Sequence, residues 1–375
     1  MRAYRFRLYP NKTQVEAMNH HLWLSKELWN RMLETTKNRY KAEGVFPSKK
    51  ELREMVKQQG LYSQVAQELV DRLLDAVWRF VKLKKQGVKC GFPRFKSFDR
   101  LKSLNYPQSG FKLEAKSLKV TPFGVVKIKL HRPIEGKIKT LTLKRESSGK
   151  WFAVFVVEVK LQVQVNCGLS IGIDLGLSKL AVCSDGSIIK NPRHFKKHEE
   201  KIALLCRRLS CKKKGSKNRV KAKLKLAVAY ERLGNVRSDF LHKTSHRLVH
   251  SYGLIALEKL NVKGMVEHKF GKHINDAGWG KLANMISYKA ESAGCKIIFV
   301  DPKNTSKQCS KCGLIVPKTL ADREHRCPLC GLVLDRDLNA SVNILNRALG
   351  QRVDTLVELT QEELMLKQEA HTLQG

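Results

Sequence analysis

Four cysteines set the first chemical constraint on this chain. Cys309-x-x-Cys312 and Cys327-x-x-Cys330 are separated by fourteen residues, and a glycine, Gly313 or Gly331, follows each pair. Such spacing makes two knuckle turns that aim four thiolates at one tetrahedral ion, and Zn²⁺ is the ion that set prefers. Four protein ligands leave no open position, so the zinc is expected to be structural, holding an insert too small to fold on its own core. A pair of disulfides is the alternative, and it requires an oxidising compartment. Three acids set the second constraint. Asp174 lies in Ile171-Gly172-Ile173-Asp174-Leu175-Gly176, Glu258 closes Leu254-Ile255-Ala256-Leu257-Glu258, and Asp337 stands in Asp335-Arg336-Asp337-Leu338-Asn339. An acid inside an apolar strand is costly unless it is partnered. Two carboxylates about 4 Å apart repel by roughly 4 kcal/mol at an effective dielectric near 20, so they share a proton or hold cations. Oxygen ligands suit Mg²⁺, and two such ions can stabilise the attacking and leaving oxygens of phosphodiester cleavage. Each acid also has a plain structural use. Asp337 could cap a helix, Glu258 could pair with a lysine, and Asp335 competes for the role of Asp337.

The elements that must position these groups follow from periodicity. Alternation puts Ile171, Ile173 and Leu175 on one side of a strand, with Gly172, Asp174 and Gly176 on the other. The glycines are expected to leave room for a ligand or a phosphate backbone to approach. Residues 171–190 read as strand, turn and strand around Ser184-Asp185-Gly186, 254–258 and 296–300 as buried strands, and 196–250 and 277–293 as helical. A last helix opens at Asp335 with Leu338, Val342, Leu345 and Leu349 as its apolar stripe and Gly350 at its end. Strands alternating with helices imply a sheet with helices on its faces, where strand ends and helix starts converge. Upstream, residues 2–9 alternate apolar Tyr4, Phe6 and Leu8 with Arg5 and Arg7, and Asn11 caps a helix reaching about Lys41. Its stripe is Met18, Leu22, Trp29 and Met32. A second helix, 64–85, carries Leu69, Leu73, Val77 and Phe80. Strands are expected near 118–121, 125–130, 137–145 and 151–159, closing a small β-barrel with residues 2–9. Residues 162–167 read as a linker, and 351–375 as a poorly ordered tail.

Composition names the partner class. Seventy-two Lys+Arg against 34 Asp+Glu give a net charge of +38 over 375 residues. That surplus opposes compaction unless a polyanion neutralises it, and nucleic acid is the default polyanion. No apolar run approaches about 20 residues and there is no signal-peptide core, which points to a cytoplasmic protein and away from a membrane. Cys90, Cys167, Cys183, Cys206, Cys211 and Cys295 lack spacing logic and read as reduced thiols. Arg5, Arg7, Arg94 and Lys96 are candidate phosphate contacts, and Arg323, His325 and Arg326 could reach phosphates near the acids.

Several motifs in this order carry a resemblance. They are Tyr4-Arg5-Phe6-Arg7-Leu8-Tyr9-Pro10 with Gln14, Pro93-Arg94-Phe95-Lys96, Gly172-Ile173-Asp174-Leu175-Gly176, Leu257-Glu258-Lys259-Leu260, Thr305-Ser306-Lys307-Gln308-Cys309-Ser310-Lys311-Cys312-Gly313 and Asp335-Arg336-Asp337-Leu338-Asn339-Ala340-Ser341. The chain resembles TnpB, the nuclease family encoded by insertion sequences and related to type V CRISPR effectors. The resemblance implies a multi-domain α/β and β fold. A RuvC-like (RNase H-like) nuclease would span 168–304 and 335–350, with a zinc ribbon at 305–334. A wedge β-barrel would span 1–10 and 103–163, with a helical recognition lobe at 11–102. It implies a catalytic set of Asp174, Glu258 and Asp337 on Mg²⁺, assisted by Arg323, and structural Zn²⁺ on the four cysteines. It implies a noncoding guide RNA that pairs with double-stranded target DNA beside a short motif read by the protein. Gln64, Gln67 and the segment Tyr106-Pro107-Gln108-Ser109 are the candidate readers. A transposase, or a nucleic-acid-binding regulator that does not cut, are the competing readings.

Overall fold

The computed structural model describes residues 1–159, 168–267, 270–319 and 321–350, so the 162–167 linker and the 351–375 tail lie outside the described residues. Two compact units emerge, the first built from residues 1–159 together with 223–228. It contains β1 (Arg2–Tyr9), α1 (Lys12–Glu43), α2 (Lys49–Val56), α3 (Ser63–Lys85), β2 (Ser103–Tyr106), β3 (Phe111–Leu113), β4 (Ser117–Val120), β5 (Gly124–Lys129), β6 (Lys137–Arg145) and β7 (Trp151–Glu158). Asn11 starts α1 with a reciprocal capping box: its side chain accepts from the Gln14 backbone at 2.8 Å, and Gln14 Oε1 accepts from the Asn11 backbone at 3.0 Å. The apolar stripes of α1 and α3 are buried as their spacing requires, except for the half-buried Phe80, and the buried residues share one core with Phe6, Leu8, Trp151 and Phe155 of the sheet. Residues 11–102 are thus packed on the sheet's own core.

The sheet runs β2-β6-β7-β1-β5-β4-β3 and is antiparallel throughout. Its ladder does not close into the expected barrel. The edge strands β2 and β3 are unpaired with each other, and the Tyr106 hydroxyl crosses the gap to donate to the Thr121 carbonyl at 2.9 Å. The short elements α2, β2 and β3 escape a periodic reading because each is eight residues or fewer. A run that short shows no clear period.

In the second unit, β8 (Ser170–Leu175), β9 (Lys179–Cys183) and β10 (Ile188–Lys190) are followed by α4 (His194–Ser210) and α5 (Lys217–Ser251). Next come β11 (Leu254–Glu258), α6 (Val262–Val266), α7 (Gly271–Ala277), α8 (Trp279–Ala293), β12 (Lys296–Val300), β13 (Glu324–Arg326), β14 (Val333–Asp335) and α9 (Arg336–Leu349). The five-stranded sheet has the order β10-β9-β8-β11-β12, with β8, β11 and β12 parallel and β9 and β10 antiparallel. On one face Ile171, Ile173, Ile255 and Leu257 pack with Leu241 and Leu248 of α5 and Leu282 and Ile286 of α8. Helix α9 covers the other face, where Ala256, Val300 and Ile344 meet. The helix expected near 277–293 is α8, and Gly278, at φ +70°, separates it from α7. Among the described residues no helix is long and apolar enough to cross a membrane.

Two expectations, one about the acid strand and one about α9, need correction. Gly172 does not open space for a ligand: a Cβ there would lie 2.1 Å from the Ser341 carbonyl oxygen and 2.7 Å from the Leu345 nitrogen. Its bare α-carbon is what lets α9 lie on β8. For the same reason the buried face of α9 is Asn339, Ala340, Ser341, Asn343 and Ile344, while Leu349 of the expected stripe is 44% exposed. Small residues and amide donors are needed where a helix meets a bare strand and a run of loop carbonyls. Gly172→Ala is therefore expected to cost about 3 kcal/mol or more, since backbone of α9 must shift to relieve the overlap. A thermal melt of the variant that matched the wild type would contradict this packing.

Candidate active site and metal centre

The parallel register sets the first two acids side by side. Leu257 pairs with Ile173, and Glu258 and Asp174 are the next residues of β11 and β8, both at the carboxyl ends of their strands. The third comes from the start of α9, which the Gly172 contact lays over β8. The cap of α9 is Asp335, whose Oδ1 accepts from the Asp337 and Leu338 backbone at 2.9 and 3.1 Å. Its other oxygen pairs with Lys179 at 3.0 Å. Asp335 is thus occupied by capping, a role that the Asp337 carboxylate does not fill.

The electrostatics report the convergence. Burial pushes the Asp174 carboxyl up, and the Glu258 and Asp337 charges push it further, to about 7, against the opposing pull of Arg336. Glu258 is also raised by burial, opposed by the Thr305 hydroxyl, which donates to Oε1 at 2.5 Å, and by the Arg347 charge. The three carboxylates repel through space without forming a closed cluster. Among the described residues, the four ribbon thiols are the group of three or more ligand side chains gathered within 4.8 Å. Asp337 is instead held by Arg336 at 3.2 Å.

The ribbon has two matching knuckles. The Cys309 and Cys327 backbones donate to Leu314 and Leu332 carbonyls at 2.8 and 2.9 Å, and Gly313 and Gly331 return bonds of 3.0 Å to Cys309 and Cys327. Both glycines adopt positive φ, +80° and +68°, as the turn demands. Sulfur separations are 3.6 Å for Cys309–Cys330 and 3.4 Å for Cys312–Cys327, far from a disulfide bond of about 2.05 Å. Amide donors on α9 hold the segment entering the ribbon: Asn339 Nδ2 reaches the Gln308 carbonyl at 2.7 Å, and Asn343 Nδ2 reaches Thr305 and Gln308 carbonyls at 2.9 and 2.6 Å. Arg347 donates to the Asp301 and Lys303 carbonyls and to Gln308.

Other expected contacts are distributed differently. Arg323 is exposed, and the guanidinium paired with Asp337 is that of Arg336. His325 is fully buried and bonds Lys318 at 2.5 Å, so it faces the ribbon interior instead of solvent, and Arg326 pairs with Glu324. Tyr106 is also fully buried, stacked on Tyr62, which makes it a core residue and removes it as a base reader. Gln64 is half-buried, while Gln67, Gln108, Ser109 and Arg94 are exposed. Arg5 stacks on Phe152 and pairs with Glu146, and Arg7 donates to the Trp151 carbonyl. Lys96 lies 3.1 Å from the Trp29 ring centre, and burial lowers its amine to about 8. Sequence reasoning missed Thr305, Arg336 and Arg347. For Arg336 the signal was available: a cation between two acids at the mouth of a helix.

Profile comparison matches residues 154–269 to a family described as "Probable transposase", residues 279–344 to "Cas12f1-like, TNB domain" and residues 1–44 to "Helix-turn-helix domain". Those first 44 residues here form one strand and one helix. A Streptomyces pristinaespiralis protein, provisionally named an RNA-guided DNA endonuclease, is 31% identical over 361 residues, covering 92% of this chain and 88% of the relative. A TnpB-like protein of Acanthamoeba polyphaga mimivirus is 30% identical over 58% of this chain and 45% of its own length. The chain belongs to the TnpB family. InsQ of Escherichia coli, under the same provisional name, is a TnpB relative 28% identical over 98% of this chain and 97% of its own. Two solved structures share the TnpB chain's fold, each at TM-score 0.58. One is the Cas12f1–sgRNA–target DNA complex (17% identical, 90% and 83% covered), the other the mini-RNA-guided endonuclease CRISPR-Cas phi3 (10% identical, 96% and 93% covered).

Proposed function

We propose that this chain is an RNA-guided DNA endonuclease, and that Asp174, Glu258 and Asp337 form its hydrolytic centre in a RuvC-like unit. One observation carries the assignment. Burial, together with the charges of Glu258 and Asp337 from remote segments, pushes Asp174 up to about 7, a cost that a fold without use for the charge would shed. The donor set is all carboxylate oxygen, which fits hard divalent cations such as Mg²⁺. When bound, a pair of such ions supplies polarisation of the scissile phosphate and an activated water. The chain's own groups prepare the site: Thr305 orients Glu258, Asp335 fixes the first turn of α9, and Lys179 neutralises Asp335. The ribbon thiols fit structural Zn²⁺, since a tetrahedron with arms of about 2.3 Å has edges of about 3.8 Å, near the separations seen.

The net charge of +38 supports a long polyanionic partner, and the relatives' names supply its class: a guide RNA paired with target DNA. The first unit would then be the wedge and recognition part, with Gln67, Gln108 and Ser109 as accessible candidate readers. The decisive experiment sequences the RNA that co-purifies with the protein, then offers the complex Mg²⁺ and DNA matching that RNA's guide end. Guide-directed cutting is expected. Cutting of the element's own ends without RNA would instead support the transposase reading that the matched family description favours.

A further inference from the structure

Arg336 is a charged group at the acid site that metal-dependent hydrolysis does not require. Its Nε and Nη2 both donate to Asp337 Oδ1, at 3.3 and 3.2 Å, and Nη1 donates to the Asp322 carbonyl at 3.1 Å. Its backbone N–H donates to the Arg323 carbonyl at 2.8 Å, which ties both ends of the residue to the ribbon loop. That loop is closed in turn by Asp322, whose carboxylate accepts from the Thr319 backbone and hydroxyl at 2.7 and 2.9 Å. The Arg336 and Asp337 side chains are only 16% and 20% exposed, so salt and water screen the pair weakly.

We propose that Arg336 is a built-in counter-ion of the acid site, holding Asp337 in the metal-free protein and competing with a divalent cation for it. The inference rests on reading Asp174, Glu258 and Asp337 as a metal site. It accounts for a feature that reading leaves open: the carboxylates are near enough to repel yet not drawn together, because the third is engaged by the guanidinium. A unit positive charge within a few ångströms of a dication in a half-buried site weakens its binding by at least about tenfold. Removing the charge should therefore tighten metal binding, the opposite of what loss of a merely structural residue would do.

The test is a Mn²⁺ titration of the zinc-loaded protein, following free Mn²⁺ by electron paramagnetic resonance. Arg336→Gln should bind Mn²⁺ about tenfold tighter than the wild type. Arg336→Lys, which keeps the charge, should stay within about threefold of it and guards against misfolding of the glutamine variant. Asp174→Asn should lose the site. If Asp174→Asn loses Mn²⁺ binding while Arg336→Gln binds no tighter than wild type, or Arg336→Lys binds as tightly as Arg336→Gln, the counter-ion inference is overturned and the metal-site reading survives. If neither wild type nor Arg336→Gln binds Mn²⁺, both are overturned.

Discussion

Asp174→Asn should lower guide-directed DNA cleavage by about a thousandfold or more while the same RNA still co-purifies, and it should make the metal-free protein more stable at pH 8. The first effect follows from deleting a central ligand whose oxygens no neighbour can replace. The second follows from the direction in which folding moves this acid. The carboxyl goes from 3.8 to about 7 on folding, so its favourable contribution is complete below about pH 4 and is lost as pH rises to 7. Asparagine has no charge to lose. The variant should match the wild type near pH 4 and exceed it by on the order of 2–4 kcal/mol above pH 7, because a tenfold change in proton affinity is worth about 1.36 kcal/mol. Mg²⁺ should then narrow the gap by stabilising the wild type alone. Paired thermal melts at pH 5 and pH 8, with and without Mg²⁺, measure this. Identical melts throughout would mean that folding does not raise the Asp174 carboxyl, and the site would have to be sought elsewhere.

The contrast between what was legible and what was not has a physical cause. Asp174 and Glu258 were readable because each interrupts a strand whose other residues must be buried. The cysteines were readable because a tetrahedral ion imposes spacing on the chain. Asp335 and Asp337 were ambiguous in sequence, since either could cap α9, and only the bond from the Asp337 backbone to Asp335 assigns the cap. The role of Gly172 is hidden because an open α-carbon says that something approaches, not what: here it is the backbone of α9. The apolar stripe expected on α9 fails for the same reason, as contact with a bare strand and loop carbonyls favours Ser341, Asn339 and Asn343 over leucine. Tyr106 suggests a base reader by residue type alone, and aromatic type does not separate a stacking platform from a core ring. Arg323 and Arg336 are thirteen positions apart in sequence yet joined by a backbone hydrogen bond, a proximity no local pattern encodes.

Cys309→Ser should remove zinc from the ribbon and disable cleavage without unfolding the first unit. The ribbon's buried apolar residues are few: Leu314 and Val316 beside Cys309 and Cys327, with Leu332 partly covered. A core that small cannot hold thirty residues, whereas a structural zinc site supplies on the order of 10–16 kcal/mol, which is folding free energy. Cys309 is the most buried of the four thiols and anchors the first knuckle through its bonds to Leu314 and Gly313. Its loss reaches the acids by a short path. Ser310 and Gln308 are held by Asn339 and Asn343, and Thr305 at the same segment's start holds Glu258. A melted ribbon therefore releases the group that orients the second acid, along with the loop that tethers Arg336. Metal analysis should find about one zinc per wild-type chain and substantially less in the variant, with new protease cleavage confined to 305–334. Full cleavage activity in a zinc-free variant would separate the ribbon from the acid site and refute this coupling.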